Sequence, residues 1–371
     1  MGNPFAGLRP ALELISREAQ VLPATGQAME DLMRPDHDEV IDTLRLGDER
    51  LLDVILETPN RETYVELRPV HRRERHLLRY FLDGSARTFF LGDVVEGRRR
   101  SPVHVAQIGA AAVFRHDDGR VKVASSVHRI VLMMDKRAVS FGEQVQALVR
   151  QAGPRYLFHD TMEEDGETER TSPGKEPRSR AAHKAHHLMA KEEDELGREL
   201  GRSPGHWLVL DGSLGKDLHA WRRVTEFLGV TKSFSREPRF GLRRRQEVNL
   251  YELLAGLANS ARTCAFAARA GEVVMWYVRL REQRHLDYPL MGVVKVELPN
   301  PRREAVPSEL VDELSAALIA ERHATPHGRD VRWHAHLYGI YLAEQAVKNG
   351  FISSEALRAG LKWPTRIAGG V

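Results

Sequence analysis

Hydrophobic residues in the first third of the chain recur in short runs that are separated by polar turn residues. Such runs predict strands, and they cover 77–82, 86–91, 106–114, 121–125 and 130–134. Asp117-Asp118-Gly119, between the third and fourth runs, is a hairpin signal. We therefore expect the fold to open with a meander of antiparallel strands.

Helical spacing of the hydrophobic residues dominates much of the remaining chain. It predicts helices at 38–52, 141–151, 181–200, 217–229, 248–268, 308–322 and 334–349. Strands are expected among them at 207–210, 272–280 and 290–298. This order lacks the regular alternation of strand and helix that builds a parallel sheet, so it predicts a mixed α/β fold around one sheet.

Composition divides the chain into three regions. Residues 1–75 mix prolines with short helical patterns, and we expect a helical N-terminal extension there that contacts a partner or completes a dimer. The main domain is expected over 76–350, interrupted at 159–180 by an acidic stretch with glycine and proline that predicts a loop. Residues 351–371 are expected to form a C-terminal tail.

Charge and cysteine content narrow the class of protein only slightly. The net charge is +3, from 55 Lys and Arg against 52 Asp and Glu, and it does not by itself imply a nucleic-acid partner. Three arginine-rich runs argue for a surface that faces phosphates, and they lie at 72–75, 98–100 and 243–245. A single cysteine, Cys264, excludes an internal disulfide. Without a long apolar run or a signal-like N-terminus, we expect a soluble cytoplasmic protein and no membrane.

The tetrapeptide Leu-Asp-Gly-Ser occurs twice, at 82–85 and at 210–213. Average amino-acid usage predicts roughly 0.1 Asp-Gly-Ser triplets in a chain of this length, so chance explains the pair poorly. Each copy ends an apolar run, which predicts that Asp83 and Asp211 follow directly on strands and that each glycine allows a sharp turn. Two ordinary turn signals are the alternative interpretation.

Aspartates at strand ends are well suited to bind divalent cations, because the strand fixes the carboxylate and the turn exposes it. Mg²⁺ and Mn²⁺ take carboxylate oxygens and keep open positions for water and phosphate. Two such ions about 3.5–4 Å apart can drive phosphodiester hydrolysis, which requires further carboxylates. On the expected helix 181–200, Glu192 falls within the apolar stripe and Glu193 near its border, so Glu192 is the first candidate and Glu193 the second. Either side chain could instead reach solvent.

Histidines offer other candidate ligands. His183 and His187 are four residues apart, the spacing of a zinc pair, but Lys184 stands where an HExxH motif has its glutamate. In the segment 332–347, His334, His336 and Glu344 could also reach a site. Amphipathic packing explains that segment equally well.

Six motifs resemble, in order and spacing, those of the NurA nuclease family. They are FLDGSART at 81–88, LVLDGSLG at 208–215, LGVTKSF at 228–234, WYVRL at 276–280, VVKVELP at 293–299 and LYGIYLAEQA at 337–346. The second DGSL and the Gly-Val-x-Lys that follows it are the most specific. The similarity runs from about residue 77 to 350, which is most of the chain.

The resemblance implies an RNase H-like fold, a mixed sheet flanked by helices, with a site for two Mn²⁺ or Mg²⁺ ions. Asp83 and Asp211 would be metal ligands, joined by Glu192 or Glu193. Many family members carry a histidine in the C-terminal helix, where this chain has Glu344 with His334 and His336 before it, so His336 and Glu344 are both candidate ligands. Tyr277 matches the family's aromatic site residue. Lys232 would contact phosphate or stabilise charge that develops during cleavage.

The resemblance further implies a homodimer that works on DNA with the hexameric HerA translocase, and no Walker motif GxxxxGK[ST] occurs in this chain. The implied activity is a metal-dependent 5′–3′ exonuclease or endonuclease in DNA end resection, double-strand break repair by homologous recombination, or phage defence. A catalytically inactive adaptor that docks on the ATPase is one alternative, and an RNase H-like enzyme acting on RNA is another. The expected DNA contacts are Arg87, Lys216, Arg243, Arg244 and Arg245.

Overall fold

The computed structural model describes residues 3, 5–24, 51–59, 62–68, 70, 77–163, 177–215, 218–235, 238–242, 246–282, 290–323 and 333–364. The helices of this part are α1 (Arg9–Glu18), α2 (Gly142–Gln151), α3 (Pro177–Glu199), α4 (Leu250–Ala255), α5 (Ser308–Ala320), α6 (Tyr338–Gly350) and α7 (Ser354–Gly360). The first strands are β1 (Gln20–Pro23), β2 (Leu51–Leu52), β3 (Glu57–Thr58), β4 (Tyr64–Glu66), β5 (Leu78–Glu96), β6 (Arg99–Arg115), β7 (Val121–Met134) and β8 (Tyr156–Asp160). The later strands are β9 (Trp207–Asp211), β10 (Phe227–Thr231), β11 (Arg239–Leu242), β12 (Gln246–Asn249), β13 (Ala261–Thr263), β14 (Phe266–Ala268), β15 (Val273–Arg279), β16 (Val293–Pro299) and β17 (Val306–Pro307).

One large mixed sheet organises the molecule, which confirms the expected mixed α/β class. Its strands follow the order β4-β13-β15-β16-β10-β9-β5-β6-β7-β8, with β1 added to β5 and β14 to β15. The expected meander is present, because β5, β6 and β7 are antiparallel neighbours and Gly119 turns the β6–β7 hairpin with a φ of 80°. The strands β9 and β10 join β5 on its other side in parallel.

Helices cover both faces of the meander. On one face α3 packs against β5, β6 and β7, and on the opposite face α6 packs against the same three strands. The close approach of α6 requires Gly339, because a Cβ there would overlap the ring of Phe81. Within the described part of the chain, no helix is long and apolar enough to cross a membrane.

The first Leu-Asp-Gly-Ser segment does not end a strand, contrary to the expectation of separate strands at 77–82 and 86–91. It lies inside the 19-residue strand β5, where Gly84 pairs with Ala110 and Ser85 with Gly109 on β6. Ladder partners on β6 keep this backbone extended, and they override the local turn signal. The runs at 121–125 and 130–134 likewise belong to one strand, β7.

Two expected helices are wrong. Residues 217–229 contain turns over 218–223 and then β10, whose five residues are all buried between β9 and β16. A fully buried strand has a continuous apolar run, which periodicity cannot separate from a helix. Residues 248–268 hold only the short α4, which Asn249 and Glu252 cap and which gives way to β13 and β14.

The described parts of residues 1–75 belong to the body of the fold. The strand β1 pairs with β5, while β2, β3 and β4 pair with β11, β17 and β13. The expected helix at 38–52 lies outside the described residues up to position 50, and its last two residues form β2. The middle of the expected loop at 159–180 also lies outside the described residues. The expected C-terminal tail contains the helix α7, whose Leu357 is buried in the apolar cluster that also holds α1.

Candidate carboxylate site

Strand register brings the two aspartates together. The strands β5 and β9 are parallel neighbours with Leu82 opposite Leu210, so Asp83 and Asp211 are adjacent at the next position. Both leucines pack in the apolar cluster on the α3 side. Because side chains alternate along a strand, Asp83 and Asp211 both face the α6 side. The sheet thus holds two carboxylates side by side at the point where β9 ends.

Two glutamates on the flanking helices act on Asp83 through their charges. Glu193 extends from α3, and its Oε2 lies 3.2 Å from the place that a Cβ at Gly84 would take. Glu344 lies on α6, on the opposite face of the sheet, and its charge also acts on Asp83. Four acidic side chains therefore come from two strands and two helices.

The environment of Asp83 disfavours a negative charge. Its side chain is buried, and the residue is only 9% exposed. Burial raises the pKa of Asp83 well above its usual value, and the charges of Asp211, Glu193 and Glu344 raise it further, while Lys232 acts in the opposite direction. The Oδ1 of Asp83 accepts the backbone N–H of Gly84 at 2.8 Å, which fixes the carboxylate against the strand.

A lysine forms an ion pair with Asp211. Val230 on β10 is opposite Asp211, so Lys232 two residues later faces the same way. Its Nζ lies 2.6 Å from Asp211 Oδ2, and both side chains are largely buried. Lys348 forms a second ion pair with Glu344 at 2.6 Å, one turn along α6. These two lysines offset part of the negative charge of the four acids.

The donor set suits a hard divalent cation, but the side chains do not stand in a coordination geometry. Carboxylate oxygens are the ligands that Mg²⁺ and Mn²⁺ prefer, and an excess of buried negative charge favours a cation. Among the described residues, no group of three or more His, Cys, Asp or Glu side chains is placed to hold an ion. Asp211 instead directs its carboxylate towards Lys232. Cation binding would therefore require Asp211 to exchange Lys232 for the ion.

The loop after Asp211 is held by Glu297 and Arg269, which were not among the expected site residues. Gly212 has a φ of 103°, and its N–H donates to the Val230 carbonyl at 2.8 Å. The N–H of Leu214 donates to Glu297 Oε2 at 2.7 Å, and Arg269 donates to the carbonyls of Leu214 and Gly215 at 2.6 Å and 2.8 Å. A signal did exist, because Glu297 is a charged residue within an apolar strand.

The structure distinguishes the two helix glutamates. Glu192 forms an ion pair with Arg129 of β7 at 3.0 Å, whereas Glu193 is the one whose charge acts on Asp83. Helical phase alone favours Glu192, because the apolar stripe of a single helix does not show which strands lie beneath it. The contacts in the structure favour Glu193 as the candidate that acts with Asp83.

Other expected site residues lie in different surroundings. Tyr277 is fully buried on β15, with its ring packed against Phe234 and Phe240 at 5.2 Å and 5.9 Å between ring centres, a setting typical of a core residue. His334 accepts the Gly292 N–H through Nδ1, and the carbonyl of His336 accepts the N–H of His323.

The expected DNA contacts are only partly described. Arg87 lies four residues beyond Asp83 on β5, with its guanidinium 5.8 Å from the centre of the Phe351 ring. Lys216 and the run of Arg243, Arg244 and Arg245 lie outside the described residues. Cys264 is buried in the apolar cluster around β15, as expected for a small core residue.

Comparison of the chain with models of known protein families and with curated proteins finds no match in either case.

Proposed function

We propose that this chain is a metal-dependent DNA nuclease of the NurA type, which hydrolyses phosphodiester bonds as a 5′–3′ exonuclease or endonuclease. The observation that carries the proposal is the adjacency of Asp83 and Asp211 on β5 and β9, with the charges of Glu193 and Glu344 acting on Asp83. Buried acids that repel one another destabilise a fold, a cost that proteins retain where function needs it, and strongly perturbed carboxyls are typical of functional sites.

We assign the RNase H-like core of this proposal to five strands. The antiparallel meander β5-β6-β7 and the parallel strands β9 and β10 form the middle of the large sheet. The helix α3 connects the two groups in the chain, because it follows β8 and precedes β9. This arrangement supports the assignment, since the acids lie on the first strand of the meander, on the connecting helix and at the end of the next strand.

Asp83, Asp211, Glu193 and Glu344 would hold two Mn²⁺ or Mg²⁺ ions. Such ions, when bound, supply an activated water and stabilise the leaving oxygen of the scissile phosphate. The charges of glutamates from both flanking helices act on Asp83, and the Gly84 N–H that its Oδ1 accepts keeps the carboxylate oriented. Lys232, once separated from Asp211, would contact a phosphate oxygen as a positive charge.

The biological setting follows the family resemblance. We propose a homodimer that acts with a HerA-type hexameric translocase in DNA end resection, double-strand break repair or phage defence. The chain has no Walker motif of its own, so strand separation would come from the ATPase. Arg87, Lys216 and residues 243–245 are proposed DNA contacts, because arginine and lysine neutralise backbone phosphates.

An inactive adaptor that docks on and regulates the ATPase is the second candidate. The observation in its favour is the ion pair of Lys232 with Asp211, because this lysine already neutralises a proposed metal ligand. Under this hypothesis the acids and lysines form a structural network that never binds an ion.

A nuclease assay separates the two candidates. End-labelled linear DNA is incubated with the protein and Mn²⁺, with and without the hexameric ATPase. We expect degradation that depends on the metal, that Asp211→Asn abolishes and that Asp118→Asn leaves intact, because Asp118 lies on the exposed β6–β7 turn with Arg120. The same assay with labelled RNA tests the remaining alternative. Absence of degradation in every mixture would contradict the nuclease and support the adaptor.

A further inference from the structure

A buried ion pair lies on the face of the sheet opposite the two aspartates. Lys295 and Glu297 on β16 are 0% and 3% exposed, and Lys295 Nζ lies 2.7 Å from Glu297 Oε1. Burial alone would raise the pKa of Glu297, but Lys295, Arg269 and the Leu214 N–H together hold it below its usual value. Glu297 is therefore ionised in the folded chain at neutral pH.

Such a pair contributes little to the stability of the fold, because the desolvation of two buried charges offsets the attraction between them. Well-packed hydrophobic residues in its place are often neutral or stabilising by about 1–4 kcal/mol. The second oxygen of Glu297 accepts the N–H of Leu214, three residues after Asp211. The pair thus connects the interior of the sheet to the loop that carries a proposed metal ligand.

The same loop is held at two other places. Glu297 is opposite Gly229 on β10, and a Cβ at Gly229 would come within 2.7 Å of the Gly212 carbonyl, so the loop backbone lies directly over this glycine. Arg269 holds the carbonyls of Leu214 and Gly215 from the other end of the loop. A ladder of β-strand hydrogen bonds fixes Asp83, whereas Asp211 is the last residue of its strand.

We infer that Glu297 is a positioning residue for Asp211: its side-chain oxygen acts by accepting the Leu214 N–H, and Lys295 balances its buried charge. The inference rests on the proposed metal-binding function of Asp211. Groups that orient metal ligands typically change metal affinity by about 10–100-fold when they are lost. Glu297 itself stays on the far face of the sheet and does not touch the ion.

Two double variants that differ in one respect test this role. Lys295→Met with Glu297→Leu removes both charges and the acceptor, whereas Lys295→Met with Glu297→Gln removes both charges and keeps an oxygen for the Leu214 N–H. Isothermal titration calorimetry measures Mn²⁺ affinity, and thermal unfolding in EDTA measures stability. We expect Mn²⁺ affinity to fall about tenfold or more in the leucine variant and to recover in the glutamine variant, with similar unfolding temperatures for both.

The possible outcomes are distinct. If the wild-type protein does not bind Mn²⁺, the proposed function fails. If it binds Mn²⁺ and both variants bind as tightly as it does, the positioning role of Glu297 fails while the proposed function stands. Should the leucine variant not fold, Lys295→Met with Glu297→Met provides the second arm, because it too removes the acceptor of the Leu214 N–H. Unchanged Mn²⁺ affinity in that variant would then overturn the inference.

Discussion

The two Leu-Asp-Gly-Ser segments have the same sequence and different backbones. At 82–85 the chain continues straight through β5, with ladder partners on β6. At 210–213 the strand ends, and Gly212 turns the chain with a φ of 103°. The glycines are needed for different reasons, since Gly84 makes room for Met189 of α3 and Gly212 adopts a left-handed conformation. What the copies share is the placement of an aspartate at one point of the sheet.

This difference shows that a short motif can specify a side-chain position without specifying a local fold. Asp83 is held by a continuous strand and lies between two helices. Asp211 lies at a chain reversal, and its position depends on contacts from β10, β16 and Arg269. The position of Asp83 is therefore set by the sheet, and the position of Asp211 by the contacts of the loop that follows it.

The prediction with the largest expected effect tests whether Glu193 or Glu192 acts together with Asp83. We expect Glu193→Gln to lower kcat for DNA cleavage by more than about 100-fold, because a ligand matters more than the groups that orient it. Glu192→Gln is the matched control one residue earlier. It breaks an ion pair with the partly exposed Arg129 and leaves Glu193 in place. Equal kcat values for the two variants would remove Glu193 from the site.

The second prediction tests why each of the two Leu-Asp-Gly-Ser segments requires its glycine. Gly84→Ala should lower the free energy of unfolding by about 1–3 kcal/mol through overpacking against Met189. Gly212→Ala should lower it by about 1–2 kcal/mol through backbone strain, because open space surrounds its Cβ position.

Chemical denaturation in a double-mutant cycle with Met189→Ala measures the difference. Truncating Met189 should reduce the effect of Gly84→Ala and leave that of Gly212→Ala unchanged. If Met189→Ala rescues both glycine variants or neither, the two segments do not differ in the way described here.

The third and smallest effect concerns the charge of Asp83. Because burial and the neighbouring acids raise the pKa of Asp83, the folded chain binds this proton more tightly than the unfolded chain does. We therefore expect Asp83→Asn, in EDTA at neutral pH, to be more stable than the wild type by about 1 kcal/mol.

As the pH falls through the raised pKa of folded Asp83, the wild type should gain stability relative to Asp83→Asn. This gain is complete below the unfolded value of about 3.9. Denaturant titrations of both proteins across the pH range measure the difference, with Asp118→Asn as the control. A difference that does not change with pH would show that Asp83 carries no unfavourable charge.

The sequence predicted the meander, the β6–β7 hairpin and the pair of aspartates, because alternation and turn residues are local signals. It did not predict β10, whose apolar run reads equally well as a helix, nor the extended backbone at Gly84. Partners distant in the chain decide both features. The choice between Glu192 and Glu193 depends on how α3 is rotated over the sheet, which a single helix does not encode.

The most direct test of the account is a crystal structure of the protein soaked in Mn²⁺, with anomalous scattering measured at the manganese edge. The account predicts an anomalous peak that touches carboxylate oxygens of both Asp83 and Asp211, with Lys232 displaced from Asp211. A structure at saturating Mn²⁺ in which Lys232 still pairs with Asp211 and no peak lies between the two aspartates would contradict it.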